Sequence, residues 1–342
     1  MREQFKILLG YPGALIPQKW FIRASGQDLI FPFYHAVSDQ FMPHVAYNYR
    51  VRTRKRFNKD LDFLLKHYEP VGLDELKAPG RGGKRKKPAM FLSFDDGLSE
   101  IHDVVAPVLI SRGIPAAIFV NTDFIDNRDL FYRYKSSLLL DRFESIKYSP
   151  AVTEIMQSRY HLASSHKRCV KEFILSISYK NKKELDAVAR LVDLDFETFL
   201  KVKKPYMTLQ QLNELDDRGF YIGSHSKDHP LFSEISAEER KIQYRESMEF
   251  LHTELGIDYR IFSFPFSDNG VPAEFFREIS SEDSPGVEAS FGTRGLKKDT
   301  VSFHHQRIPM ENGTVPGNIL IRGEYIYYLL KGLFGQNEVK RL

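Results

Sequence analysis

The chain has 342 residues, 42% of them hydrophobic and 27% charged, with a formal net charge of +4. This is the composition of a globular protein long enough for a full core, as one large barrel or as two domains. So small a positive excess selects no partner. A single cysteine, Cys169, excludes an intrachain disulfide, and no apolar run approaches the roughly 20 residues that cross a bilayer.

Met1–Lys6 and the apolar stretch Ile7–Pro17 make a poor export signal, being short, interrupted by glycine and two prolines, and without a small-residue cleavage site. The segment is expected to be ordered or to graze a membrane, and the chain to be cytoplasmic, with peripheral membrane association open. Short apolar runs then recur, each ending in polar residues. Leu29–Phe33 leads to Tyr34–His35, Ala89–Phe94 to Asp95–Asp96–Gly97, and Ala116–Val120 to Asn121–Thr122. Phe220–Ile222 leads to Gly223–Ser224–His225, Ile261–Phe264 to Pro265, Ala289–Phe291 to Gly292–Thr293, and Val301–Phe303 to His304–His305. These are buried-strand patterns separated by helical ones.

Two helix starts are legible as capping boxes, Thr208–Gln211 and Ser236–Glu239. Tyr244, Met248, Leu251 and Leu255 then share one helical face, and Gly256 is a stop. Strands alternating with helices predict a parallel sheet, and so many repeats predict a barrel whose C-terminal strand ends carry the chemistry. Two segments break the rhythm. Residues 130–205 read as an inserted helical subdomain, with stripes Phe173/Ile174/Ile177 and Leu185/Val188/Leu191/Val192, inside a single domain spanning 1–342. The other break is basic, the loop Ala78–Pro88, and Arg50–Arg56 is cation-rich as well. Neither has interleaved aromatics or a nucleic-acid motif, so no nucleic-acid partner is expected.

The chemistry concentrates in two places. Asp95 and Asp96 end an apolar strand, where burying two carboxylates needs compensation, and Gly97 permits a sharp exit. In Gly223-Ser-His-Ser-Lys-Asp-His-Pro230, His225 and His229 stand four apart, close enough for one ion. Serine at 226 excludes the zincin pattern, which requires glutamate there. Two histidines and one carboxylate form a three-ligand set with a position left for water, and the second aspartate can then act as base. Zinc fits best by ligand type, and cobalt, nickel or iron can use the same ligands.

These blocks resemble the carbohydrate esterase family 4, the NodB-like polysaccharide deacetylases. Phe94-Asp-Asp-Gly97 is similar to the family's T-F-D-D-G block with Ser93 in place of threonine, and His225-Ser-Lys-Asp-His-Pro230 to its H-[ST]-x-x-H-P block. Phe262–Phe266 resembles a proline-aromatic block lining the substrate groove, and Phe33-Tyr-His35 a strand start seen in many members. The resemblance runs from about Ile30 to Pro309. It implies an α/β fold, a distorted (β/α) barrel with a helical insertion. It further implies a hydrolase with Asp96, His225 and His229 as metal ligands, Asp95 as general base, and His35, Pro265 and Phe266 at the substrate.

The chain departs from the family in two places. The usual L-x-H block for the acid is not evident, so His304 and His305 are the candidates, although one inward and one outward histidine without catalytic duty fits equally. The Arg307-Ile-Pro that follows resembles the ends of related chains. The family's arginine before the proline is replaced by Ser263, and Arg260 is displaced by three residues. The expected activity is removal of N-acetyl groups from an amino sugar in a polysaccharide, glycolipid or nucleotide sugar. An O-acetyl esterase and a non-catalytic carbohydrate-binding protein are the alternatives. The sugar and the oligomeric state are not legible.

Overall fold

The computed structural model of the chain describes residues 2–77, 85–145, 150–281 and 286–341. Most of the basic loop Ala78–Pro88, residues 78–84, lies outside them. The central element is an eight-stranded parallel sheet. Its strands are β1 (Pro32–Tyr34), β2 (Leu92–Phe94), β3 (Ala116–Val120), β4 (Tyr221–Ser224), β5 (Ile261–Ser263), β6 (Ala289–Gly292), β7 (His304–Gln306) and β8 (Ile308–Pro309).

Strands β1 to β7 lie side by side in chain order, and β8 returns to pair with β1. Only Arg307 separates β7 from β8. Residues 304–309 are therefore one extended run whose first half pairs with β6 and whose second half pairs with β1. The result is a nearly closed barrel, the expected α/β architecture. Its strands are almost wholly buried because both faces are covered, which is why they read as continuous apolar runs. Phe31, Phe91, Phe119 and Phe291 fill one end of the interior, with Phe91 and Phe291 stacked at 5.5 Å.

One expected strand is displaced. Val301–Phe303 forms a turn in which the His304 N–H bonds the Val301 carbonyl at 3.1 Å, and the strand begins at His304 itself. The two histidines thus stand at the start of a strand rather than at its exit.

The helices around the sheet include α1 (Arg2–Gly13), α2 (Gln18–Ser25), α3 (Tyr132–Ser145), α4 (Lys167–Ser176), α5 (Ala237–Leu255) and α6 (Gly317–Gly332). The Thr208 box forms with both of its hydrogen bonds. Ser236 caps α5, and Gly256 ends it in the left-handed conformation at φ 66°. Between β3 and β4 run α3, α4 and further helices at 150–160, 184–191 and 196–203. Ile174, Ile177, Leu185, Val188 and Val192 are buried there. They share a core with Ala36, Met42 and Val45 from the segment after β1, so these helices pack over the barrel mouth.

Candidate active site

Asp95 continues β2, its N–H bonding the Tyr34 carbonyl at 2.9 Å. The chain then turns sharply, with Asp96 at φ 71° and Gly97 at φ 67°. A Cβ on Gly97 would meet Val120 Cγ1 at 3.0 Å, so both conformation and space require glycine. Ser226, His229 and Phe266 also hold positive φ, at 70°, 64° and 56°. Such conformations cost about 1–3 kcal/mol each and gather where surrounding contacts over-determine them. Here those contacts are explicit. The Ser224 hydroxyl accepts from Ser226 N–H (3.0 Å), and the Ser226 hydroxyl accepts from His229 N–H (3.1 Å). Asp228 accepts from Tyr179 (2.8 Å) and Gln243 (2.7 Å) and pairs with Lys182.

The turns at the ends of β2 and β4 bring Asp96, His225 and His229 together. Asp96 Oδ1 lies 3.6 Å from His225 Nε2 and 3.3 Å from His229 Nε2. A cation fits this set on three counts. Asp96 Oδ1 is buried without a hydrogen-bond donor. His225 Nδ1 lies 2.8 Å from the Ser263 carbonyl, which can only accept, so the proton sits on Nδ1 and Nε2 keeps its lone pair. Burial also pushes the His225 imidazole down to about 4, despite Asp95, so the ring is neutral at pH 7.

Asp95 is held differently. Arg307 reaches it with both terminal nitrogens, Nη1 to Oδ1 and Nη2 to Oδ2, each at 2.7 Å. The guanidinium also donates to Ser93 Oγ (3.1 Å) and Ser263 Oγ (2.7 Å) and lies over the Phe33 ring at 4.2 Å. Burial disfavours the Asp95 charge, but Arg307, with His225 behind it, holds the carboxyl below its ordinary range. The barrel seam thus supplies the arginine that Ser263 replaces in the linear motif. Ser263 still takes part, as an acceptor for Arg307. Arg260 precedes β5, its carbonyl accepting from Glu288 N–H.

Above these groups opens a cavity of about 480 Å³ walled by Tyr49, Phe131, Arg133, Leu175 and Phe266, with His35 at its edge. His35 Nδ1 lies 2.6 Å from Glu311 Oε2, and the other Glu311 oxygen accepts from the His35 and Ala36 N–H groups at 2.8 Å. Burial lowers the affinity of His35 for a proton, but Glu311 outweighs it and raises the imidazole to about 9.

The cavity joins Asp95, Asp96, His225, His229, His35 and Phe266. Pro265 is buried beside them without lining it. His304 and His305 are elsewhere. His305 points inward at the far end of the barrel, stacked on Phe31 at 4.7 Å. His304 points outward, with Nε2 3.3 Å from Asp268 and Nδ1 2.7 Å from Ser290 Oγ. Asp268, Asp299 and His304 also lie within ligand distance of one another. There, however, Arg341 pairs with both carboxylates and Gln306 donates to them at 2.7 and 3.0 Å, so their oxygens already have protein partners.

Three further features were not legible in sequence, namely Arg307 as the partner of Asp95, Glu311 behind His35, and two tyrosines. Tyr49 and Tyr134 both donate to Asp96 Oδ2, at 3.2 and 2.6 Å. Tyr134 lies on α3, so the helices between β3 and β4 orient a candidate metal ligand. Outer-shell hydrogen bonds of this kind are worth roughly 10–100-fold in metal affinity. Tyr134→Phe is accordingly expected to weaken zinc binding by about that factor with the fold intact, as read by competition with a chromophoric chelator. Unchanged affinity would reduce Tyr134 to packing.

A family model described as polysaccharide deacetylase matches residues 82–172, which include Asp95 and Asp96 and stop short of His225 and His229. No curated protein matches the chain by sequence. Among solved structures, the Streptococcus pyogenes deacetylase PplD is 14% identical, with a TM-score of 0.51, covering 85% of this chain and 96% of its own. IcaB from Ammonifex degensii is 16% identical, TM-score 0.51, covering 86% and 97%. BC0361, a polysaccharide deacetylase from Bacillus cereus, is 13% identical, TM-score 0.50, covering 86% and 68%. At these identities the likeness is one of fold.

Proposed function

We infer that this chain, which carries a polysaccharide deacetylase sequence segment on a polysaccharide deacetylase fold, is a metal-dependent hydrolase removing N-acetyl groups from an amino sugar of a glycan. The observation that carries this reading is one arrangement. A three-ligand set with an orphaned carboxylate oxygen stands beside an arginine-held carboxylate, under an aromatic-walled cavity. Asp96, His225 and His229 would hold the ion, and zinc suits two imidazoles and a carboxylate. When bound, the ion supplies Lewis acidity and lowers the pKa of a water toward neutral.

The remaining work falls to side chains. Asp95, kept ionised and oriented through both oxygens by Arg307, takes the proton of the attacking water. His35, charged at neutral pH beside Glu311, is placed to give a proton to the departing amine. His304 and His305 lie outside the cavity lining, so the acid role falls to His35 in this reading. The walls Tyr49, Phe131 and Phe266 offer flat apolar faces for a pyranose ring, and Arg133 a cation at the rim.

The test is acetate release from a panel of acetylated glycans, glycolipids and nucleotide sugars. Zinc-loaded protein should release acetate from at least one N-acetylated member, chelated protein should not, and restored zinc should recover the activity. Release from O-acetylated members alone would replace the amidase with an esterase. No release by fully loaded protein would leave a binding protein.

A further inference from the structure

We propose that α1, the turn after it and α2 form a docking face for an anionic phospholipid surface. Helix α1 is inverted. A helix lying on a protein in water buries its apolar stripe and exposes its charges. In α1 the buried side is polar and small. Lys6 is 4% exposed and pairs at 2.7 Å with Glu324 of α6, itself 3% exposed. Gly10 and Gly323 bring the two helices into backbone contact, since a Cβ on Gly10 would lie 2.2 Å from the Ile319 carbonyl oxygen.

The outward side carries Phe5, Leu8 and Tyr11, the turn continues it with Leu15 and Ile16, and α2 adds Trp20. Leu8 is 67% and Leu15 89% exposed. An ion pair inside and rings and leucines outside is the wrong way round for water, and right for a surface that accepts apolar side chains.

The charge around the face names the occupant. Lys19 and Arg23 are exposed on α2. Arg23 borders a hollow that also contains Lys86 and Lys87, both exposed, against one acid there, Asp28. On α1 itself Glu3 is paired with Lys6. Cations beside an apolar stripe that includes a tryptophan fit the headgroup region of an anionic bilayer. No helix among the described residues is long and apolar enough to cross a membrane, so the contact is with the surface. Glu3 also lines the active-site cavity, which places the head of α1 at the cavity rim.

Trp20 is the chain's one tryptophan and is 57% exposed, so it reports on this face directly. The full chain is mixed with vesicles of phosphatidylcholine alone or of phosphatidylcholine with phosphatidylglycerol, and followed by tryptophan emission and co-sedimentation. The expected result is a blue shift and pelleting with the anionic vesicles, weakened by salt. A Leu8→Asp/Leu15→Asp variant and a Lys19→Glu/Arg23→Glu variant should each bind at least about tenfold more weakly. Both should keep the wild-type melting curve, because the altered side chains face solvent.

Unshifted emission with the protein left in the supernatant would overturn the proposal, as would variants that bind like wild type. Binding indifferent to lipid charge would overturn the part assigned to α2. A concentration-dependent dimer in sedimentation velocity, abolished by Leu15→Asp, would give the face to a second copy instead.

Discussion

Replacing Arg307 by methionine is expected to lower stability by about 3–5 kcal/mol and to abolish turnover, because it leaves Asp95 as an uncompensated buried charge. Arg307 is fully buried, touches both Asp95 oxygens, and is the residue through which β7 passes into β8. Its loss therefore removes a charge partner at the barrel seam. Arg307→Lys should recover part of the stability but little of the activity, since a single ammonium cannot repeat the two-pronged contact that orients Asp95.

The effect should depend on pH in a defined sense. In the wild type the folded Asp95 carboxyl lies below its ordinary value. Its contribution is therefore fully present above the unfolded carboxylate pKa and is lost as pH falls through the folded value. In Arg307→Met, burial acts without the cation, and the folded pKa rises above the unfolded one. The stability gap between wild type and variant should then be widest near neutral pH and shrink toward acid. Urea denaturation across that range measures it. A pH-independent gap would mean that Arg307 acts by packing on Phe33 and its neighbours rather than through Asp95.

The second large effect separates the two proton-transfer roles. Asp95→Asn should reduce turnover by about 10²–10⁴-fold, the usual worth of a general base, with zinc still bound. It should do so equally for an N-acetyl sugar and for an aryl acetate, because both require water to lose a proton. His35→Gln should reduce turnover of the N-acetyl sugar by a comparable factor and leave the aryl acetate nearly unchanged, since a phenolate departs without protonation. Equal losses in His35→Gln would make His35 a substrate-positioning group, and no loss on either would return the acid role to an unassigned residue.

The residues that were legible in sequence are those whose meaning is local. Asp95–Asp96–Gly97 at a strand end and His225/His229 within one turn combine ligand type, spacing and a strand exit inside a few residues. The barrel was legible because buried parallel strands must be continuous apolar runs between helices. Thr208 and Ser236 cap helices because capping acts over three residues.

The partners were not legible because they come from far along the chain. Arg307 stands 212 residues from Asp95, Glu311 stands 276 from His35, and Tyr134 stands 38 from Asp96. A parallel barrel makes such pairs neighbours, and no periodicity records which strand exits face each other. Strand register was ambiguous for the same reason. Val301–Phe303 and His304–Gln306 are both strand-like, and the three-residue difference decides whether the histidines meet the cavity or the far end. The fold class and the candidate ligand set were readable from local sequence, together with the end of the barrel on which they would meet. Only the folded arrangement shows which arginine holds Asp95, that His304 and His305 lie away from the cavity, and which face of α1 is left to solvent, because each depends on strand closure and helix packing over distances that local propensity does not encode.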